Sequence, residues 1–205
     1  MASSVKVAPM SSMNTTTGLL QAIDDGLLTI TIDRPHAANA IDSSVAQGLA
    51  YLIQKAQQDS SIYAVLLTGT GNRAFCAGRD TKVPAGEDPV QLDMQRRNEL
   101  WTYTDALLTL DKPLIVAANA SAIGAGFMLC LHADQVVSVP NAVFSLPEIN
   151  IGISSWLGHC LVAEIAGNAC ANDMSITGRK VDANEALSKG LIHTIAPAST
   201  LQADA

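Results

Sequence analysis

An α/β fold is predicted for this chain on three observations. Short apolar runs of strand length alternate with longer stretches of helical periodicity. Glycine turns close two of those runs, at Gly69-Thr70-Gly71 and Gly124-Ala125-Gly126. A unit of strand, strand and helix also recurs loosely over residues 19–58, 62–110 and 114–133. The 205 residues, 48% apolar and 15% charged, are enough for one domain with a large core and hardly enough for two. No linker or charge block divides them.

Residues 1–16 are small and polar, with one lysine and no apolar core, and are expected to form a disordered extension rather than a signal or transit peptide. The core domain is expected over 17–197. "LLQAID" and "GLLTITIDRP" flank Asp24-Asp25-Gly26, which predicts a hairpin. Val45, Leu49, Leu52, Ile53 and Ala56 repeat at helical spacing, with Asp42 or Ser43 as the cap. "IYAVLLTGTG" and "KPLIVAANA" read as continuous apolar strands, Pro113 standing where a missing N–H is tolerated. "ADQVVSVPNAVFSLPEINIG" gives two shorter strands around Pro140-Asn141. "VDANEALSKGLI" is a short helix with Asp182 and Glu185 as a capping box and Gly190 at its end. Residues 198–205 are expected to be a polar tail without a helix.

The charge of −7 argues against a nucleic-acid or anionic-membrane surface. No apolar run approaches the ~20 residues of a membrane span. Cys76, Cys130, Cys160 and Cys170 form no C-x-x-C pair and no metal spacing, and three sit in apolar surroundings. That usage predicts reduced thiols and a cytoplasmic location. His36, His132, His159 and His193 are scattered without ligand spacing, so no metal site is predicted, although His159 is close enough to Glu148 in sequence to line a pocket.

Two loops and one carboxylate carry the chemistry. "NRAFCAGRDTK" and "AIGAGFML" each follow a strand and bend at small residues, so each can present an unpaired backbone N–H. Two such donors converging on one oxygen make an oxyanion hole, although either loop alone is more simply read as a tight turn. Glu148 stands in the apolar "FSLPEINIG". Its two readings are a surface-facing residue and a general base whose pKa is raised by apolar neighbours.

"IDRPHAANAI", "NRAFCAGRDTK", "KPLIVAANASAIGAGFMLCLHAD", "FSLPEINIGI" and "ITGRKVDANEALSKGLIHTIAP" occur in the order, and at about the spacing, of the crotonase (enoyl-CoA hydratase/isomerase) superfamily. The resemblance runs from about residue 19 to residue 197. It implies a spiral of strand–strand–helix turns that binds an acyl-CoA thioester, with CoA as part of the substrate and no further cofactor. It implies backbone N–H donors at Arg79 and Ala125 and a catalytic Glu148. It implies that Ala77, Arg79, Asp80, Thr81, Lys82, Gly124, Met128 and Trp156 border the substrate, with the side chain of Arg79 or Lys82 near a CoA phosphate. Asp80 is alternatively a support for its own loop, Asp134 a structural residue, and Trp156 either a wall of the acyl pocket or core.

Hydratases of the family carry a second glutamate where this chain has Met128, and a methionine neither moves a proton nor orients water. The isomerases keep the glutamate of the "PEI" region and are apolar at the other place, so the resemblance implies an enoyl-CoA isomerase with Glu148 as the single acid/base. A hydratase that recruits another acid and a non-catalytic acyl-CoA-binding subunit are the alternatives. The family's C-terminal helical segment, which covers the acyl site and helps build trimers, has no counterpart before Ala205, so either the sequence is truncated or the segment was lost. A homotrimer or hexamer held by the core spiral is therefore expected.

Overall fold

The computed structural model describes residues 18–82 and 86–205. The expected N-terminal extension lies outside the described residues. Strands β1 (Leu19–Asp24) and β2 (Leu27–Ile32) form the antiparallel hairpin. Asp25 and Gly26 both take positive φ, 44° and 78°, as the two-residue turn that matches strand twist requires. Helix α1 (Ser43–Gln58) follows, and Asp42 is its cap, its carboxylate accepting from the Val45 amide at 2.9 Å. All five periodic apolar residues of α1 are buried.

Strands β3 (Ala64–Gly69) and β4 (Leu114–Ala118) are separated by helix α2 (Pro89–Leu108). The two-residue strand β5 (Ala122–Ile123) then leads into helix α3 (Ala125–Leu131). Next come β6 (Gln135–Ser138), β7 (Val143–Ser145) and helix α4 (Trp156–Thr177). The chain closes with β8 (Val181–Asp182), α5 (Ala183–Ser188), β9 (Thr194–Ile195) and α6 (Leu201–Asp204). A six-stranded sheet runs β1-β2-β3-β4-β6-β9, parallel except at the hairpin, and a three-stranded sheet runs β5-β7-β8. Val65, Leu67, Val116 and Val136 are at most 1% exposed, as expected of parallel strands covered on both faces.

The repeating unit holds for 19–58 and 114–133. Over 62–110 the second strand is reduced to isolated bridges, Cys76 with Ala122 and Arg79 with Ile41, because the chain there is a loop pinned between neighbours. The strands around Pro140-Asn141 do not pair with each other. The turn carries the chain from the large sheet to the small one. The capping box is half made: Asp182 accepts from the Glu185 amide at 2.8 Å, while the Glu185 carboxylate is taken by Arg179 at 2.6 and 2.9 Å. The C-terminal stretch expected to lack a helix forms the single turn α6, because Leu201 is buried at 4% exposure and needs its backbone folded against the core. Cys76, Cys130 and Cys170 are buried, and burial pushes the Cys76 thiol up to about 12. Among the described residues no helix is long and apolar enough to cross a membrane.

Candidate active site

The first loop is built by the segment before α1. Asn39, 1% exposed and at φ 56°, donates from Nδ2 to the carbonyls of Thr70 and Ala74, and its Oδ1 accepts from the Arg34 amide. Arg34 pairs with Asp42 at 3.1 Å and Asp80 at 3.2 Å. The loop then runs beside β5: Phe75 N–H donates to Ser121 C=O and Ile123 N–H to Cys76 C=O. At the bridge to Ile41 the amides alternate. Ile41 N–H donates to Gly78 C=O and Asp80 N–H to Ile41 C=O, both at 2.8 Å. The Arg79 N–H between them therefore points the opposite way, and it has no acceptor among the described residues.

The second loop repeats this logic. Gly124 N–H donates to Ser145 C=O at 2.9 Å, and the next amide, Ala125, opens α3, where the first N–H groups have no partner within the helix. The two loops touch. A β-carbon at Gly78, whose φ is 91°, would lie 2.8 Å from Ile123 C=O and 3.5 Å from the Ala125 nitrogen. Only glycine lets these backbones meet.

Glu148 sits in a single 3-10 turn, Pro147–Ile151, directly after β7. Its carboxyl lies on the open face of Gly124, where a β-carbon would be 2.8 Å from Oε1. Burial pushes the Glu148 carboxyl above the usual carboxylate range, against the opposing effects of its own amide, the Ser155 hydroxyl and the Arg79 charge. The free amides and this carboxyl border one cavity of about 440 Å³. A hydrogen-bonding pair for an oxyanion and a half-buried acid beside it can hold an enolate and move its proton.

A family model described as enoyl-CoA hydratase/isomerase matches residues 22–205. The chain belongs to that family. It is 35% identical over 176 residues to a carnitinyl-CoA dehydratase of Proteus mirabilis, covering 85% of this chain and 66% of the relative. It is 36% identical over 181 residues to a carnitinyl-CoA dehydratase of Escherichia coli K12, covering 87% and 68%. The chain thus spans about two thirds of the length of the curated relatives it matches. Its fold matches the crystal structure of an enoyl-CoA hydratase from Bacillus anthracis with a TM-score of 0.85 at 26% identity, over 91% of this chain and 73% of that one. The crotonase-like fold expected from the five segments is the fold of this chain.

Against that family frame the structure sorts the predicted residues. Ala77, Arg79, Thr81, Gly124, Ala125, Met128, Glu148 and Trp156 all line the 440 Å³ cavity. Asp80 and Lys82 do not. They line an adjoining hollow of about 290 Å³ with Arg73 and His36. Asp80 accepts from the Lys82 amide at 3.2 Å, so it holds its own turn. Burial raises its pKa, and the Lys82 amide and Arg34 outweigh that, leaving it below the ordinary value. The Arg79 guanidinium pairs with Asp93 of α2 at 2.9 Å. His159 stays out of the cavity and meets Ser175 Oγ at 3.0 Å. Asp134 is structural, accepting from the Leu114 amide at 2.8 Å. Trp156 is not core. It is 52% exposed and stacks at a tilt on Trp101, centroids 5.3 Å apart.

Sequence reasoning missed the wall that α2 supplies, where Arg96, Arg97, Glu99, Leu100 and Tyr103 face the cavity. The helix has no clean apolar stripe to advertise that face. Ser155 stands out in the sequence only as part of the "GISSWLG" that follows Glu148; the structure buries it at 7% exposure on the cavity wall. A serine just before a long helix reads as an ordinary cap, and its hydroxyl caps nothing here.

Proposed function

We propose that the chain isomerises an enoyl-CoA through an enolate. The thioester oxygen accepts from the Arg79 and Ala125 amides, and Glu148 takes a proton at one end of the three-carbon unit and returns it at the other. The observation that carries this reading is the raised, half-buried carboxyl of Glu148 on the same cavity as two unpaired amides. Met128, 6% exposed on that cavity, supplies no second acid. CoA enters as part of the substrate, and the chemistry asks for no metal or other cofactor. Ala77, Thr81 and Gly124 border the thioester arm, while Asp80 and Lys82 border the adjoining hollow. The reading extends to a cytoplasmic enzyme working as a trimer or hexamer.

A second reading, loss or addition of water across the same enolate, is supported by the relatives named carnitinyl-CoA dehydratase. Two incubations in H₂¹⁸O separate the two. A 3-enoyl-CoA is expected to give an unlabelled 2-enoyl-CoA faster than a 2-enoyl-CoA gives labelled 3-hydroxyacyl-CoA. Rapid labelling from the 2-enoyl-CoA with the 3-enoyl-CoA left untouched replaces the first reading by the second. Full turnover by Glu148→Gln overturns both.

A further inference from the structure

Two buried polar atoms beside the cavity have no hydrogen-bond partner among the described residues: Oε2 of Glu148 and Oγ of Ser155. Such orphans are uncommon in native interiors and ask for an explanation. Ser155 is 93% buried by its 7% exposure, and it occupies the N-cap position of α4, where a serine hydroxyl ordinarily accepts from a helix amide. It makes no such bond. Space is kept for it in its present position: a β-carbon at Gly158 would lie 2.9 Å from Ser155 Oγ and 2.7 Å from a Leu146 methyl. The two orphans belong to residues that line the same cavity, seven positions apart in the chain, and the hydroxyl also biases the carboxyl toward ionisation.

We propose that Glu148 Oε2 and Ser155 Oγ form a two-point subsite for one oxygen atom, the C3 hydroxyl of a 3-hydroxyacyl thioester. This rests on the acyl-CoA reading above. With the thioester oxygen on the Arg79 and Ala125 amides, a carboxyl that reaches the carbons on either side of C3 stands beside the C3 substituent. A hydroxyl there donates to the carboxylate and accepts from the serine O–H, so both orphans are satisfied at once. Met128 offers that oxygen nothing, which leaves Ser155 as the second polar contact. A free water has the same hydrogen-bonding chemistry, and the comparison below separates it from a substrate hydroxyl.

The test is a titration of the full chain with butanoyl-CoA and with each enantiomer of 3-hydroxybutanoyl-CoA, followed by calorimetry. Wild type is expected to prefer one hydroxy enantiomer over butanoyl-CoA by about tenfold, the yield of one hydrogen bond to a charged group. Ser155→Ala, which keeps the Glu148 contact, is expected to reduce that preference at least threefold while leaving butanoyl-CoA affinity within about twofold, the internal check on folding. Ser155→Thr, which keeps the hydroxyl, should retain part of the preference. Equal affinity of wild type for all three ligands overturns the subsite, since water alone then occupies it. A Ser155→Ala that weakens all three equally overturns it too, by assigning Ser155 to packing. If butanoyl-CoA itself fails to bind, the acyl-CoA reading falls first and takes the subsite with it.

Discussion

Gly124 and Glu148 are in direct contact: the carboxyl oxygen Oε1 occupies the place where a side chain at residue 124 would begin, 2.8 Å from an ideal β-carbon. The contact joins the acid of the site to the loop that carries the Ala125 amide. Gly124 also has φ 54° and ψ −123°, a conformation that residues with a side chain avoid. Gly124→Ala is therefore expected to displace Glu148 and strain the loop by ~1–3 kcal/mol. The expected outcome is a lower melting temperature and at least a hundredfold loss of kcat, read by calorimetry and by a CoA-ester assay. Unchanged kcat would detach Glu148 from the chemistry.

Glu148→Gln keeps shape and removes the proton carrier. A loss of ~10²–10⁴ in kcat with CoA-ester affinity nearly intact is expected, since loss of one general acid/base has that magnitude. Single-turnover kinetics beside equilibrium binding separates the two effects.

The same residue makes a stability prediction. Burial raises Glu148, so the fold favours its neutral form. Its contribution is fully present below the ordinary carboxylate value and is lost as pH rises through the raised one. Glu148→Gln, neutral at every pH, should melt higher than wild type at about pH 8 and lose that advantage by about pH 3, where Glu148 is protonated in folded and unfolded chains alike. Melting curves across pH that run parallel would contradict the raised value.

Arg79 is assigned through its backbone. Arg79→Ala leaves the amide in place, breaks the ion pair with Asp93, a partly exposed contact worth ~0–1 kcal/mol, and removes the smallest of the effects that lower Glu148. Turnover within about threefold of wild type is expected, with a small drop in melting temperature. A hundredfold loss would move the role to the guanidinium.

Self-association is the last expectation. Ile149, Ile151, Trp156 and Ile176 are 48–68% exposed along the 3-10 turn and α4, and Ile151 and Trp156 also line the cavity. Apolar surface left in water costs ~25 cal/mol for each Å². Light scattering over a dilution series should give a mass several times the 21.4 kDa of one chain. A stable, active monomer at micromolar concentration would refute this.

Much of the architecture was legible because local rules wrote it. The hairpin rests on two residues that tolerate positive φ, α1 on an Asp42 cap and a five-residue apolar stripe, and β3 and β4 on unbroken apolar runs. The residues of the two loops and the lone Glu148 were readable as well, since their spacing along the chain is that of a family. α4 was not read, because its apolar residues circle the helix and Gly167, at φ 82°, interrupts it.

By itself, then, the sequence determined the α/β alternation, the glycines at the two bends and the presence of a lone carboxylate, Glu148, in an apolar stretch. Only the tertiary structure decided which amides are left unpaired. The bonds from Ile41 to Gly78 and from Gly124 to Ser145 join segments 37 and 21 residues apart, as the numbering gives, and they consume the neighbouring groups while Arg79 and Ala125, both on the cavity wall, keep unpaired amides. The same is true of Arg79's capture by Asp93 and of Ser155's unpaired hydroxyl. A hydrogen bond depends on distance and direction in space, and residue type fixes only what each group is able to offer.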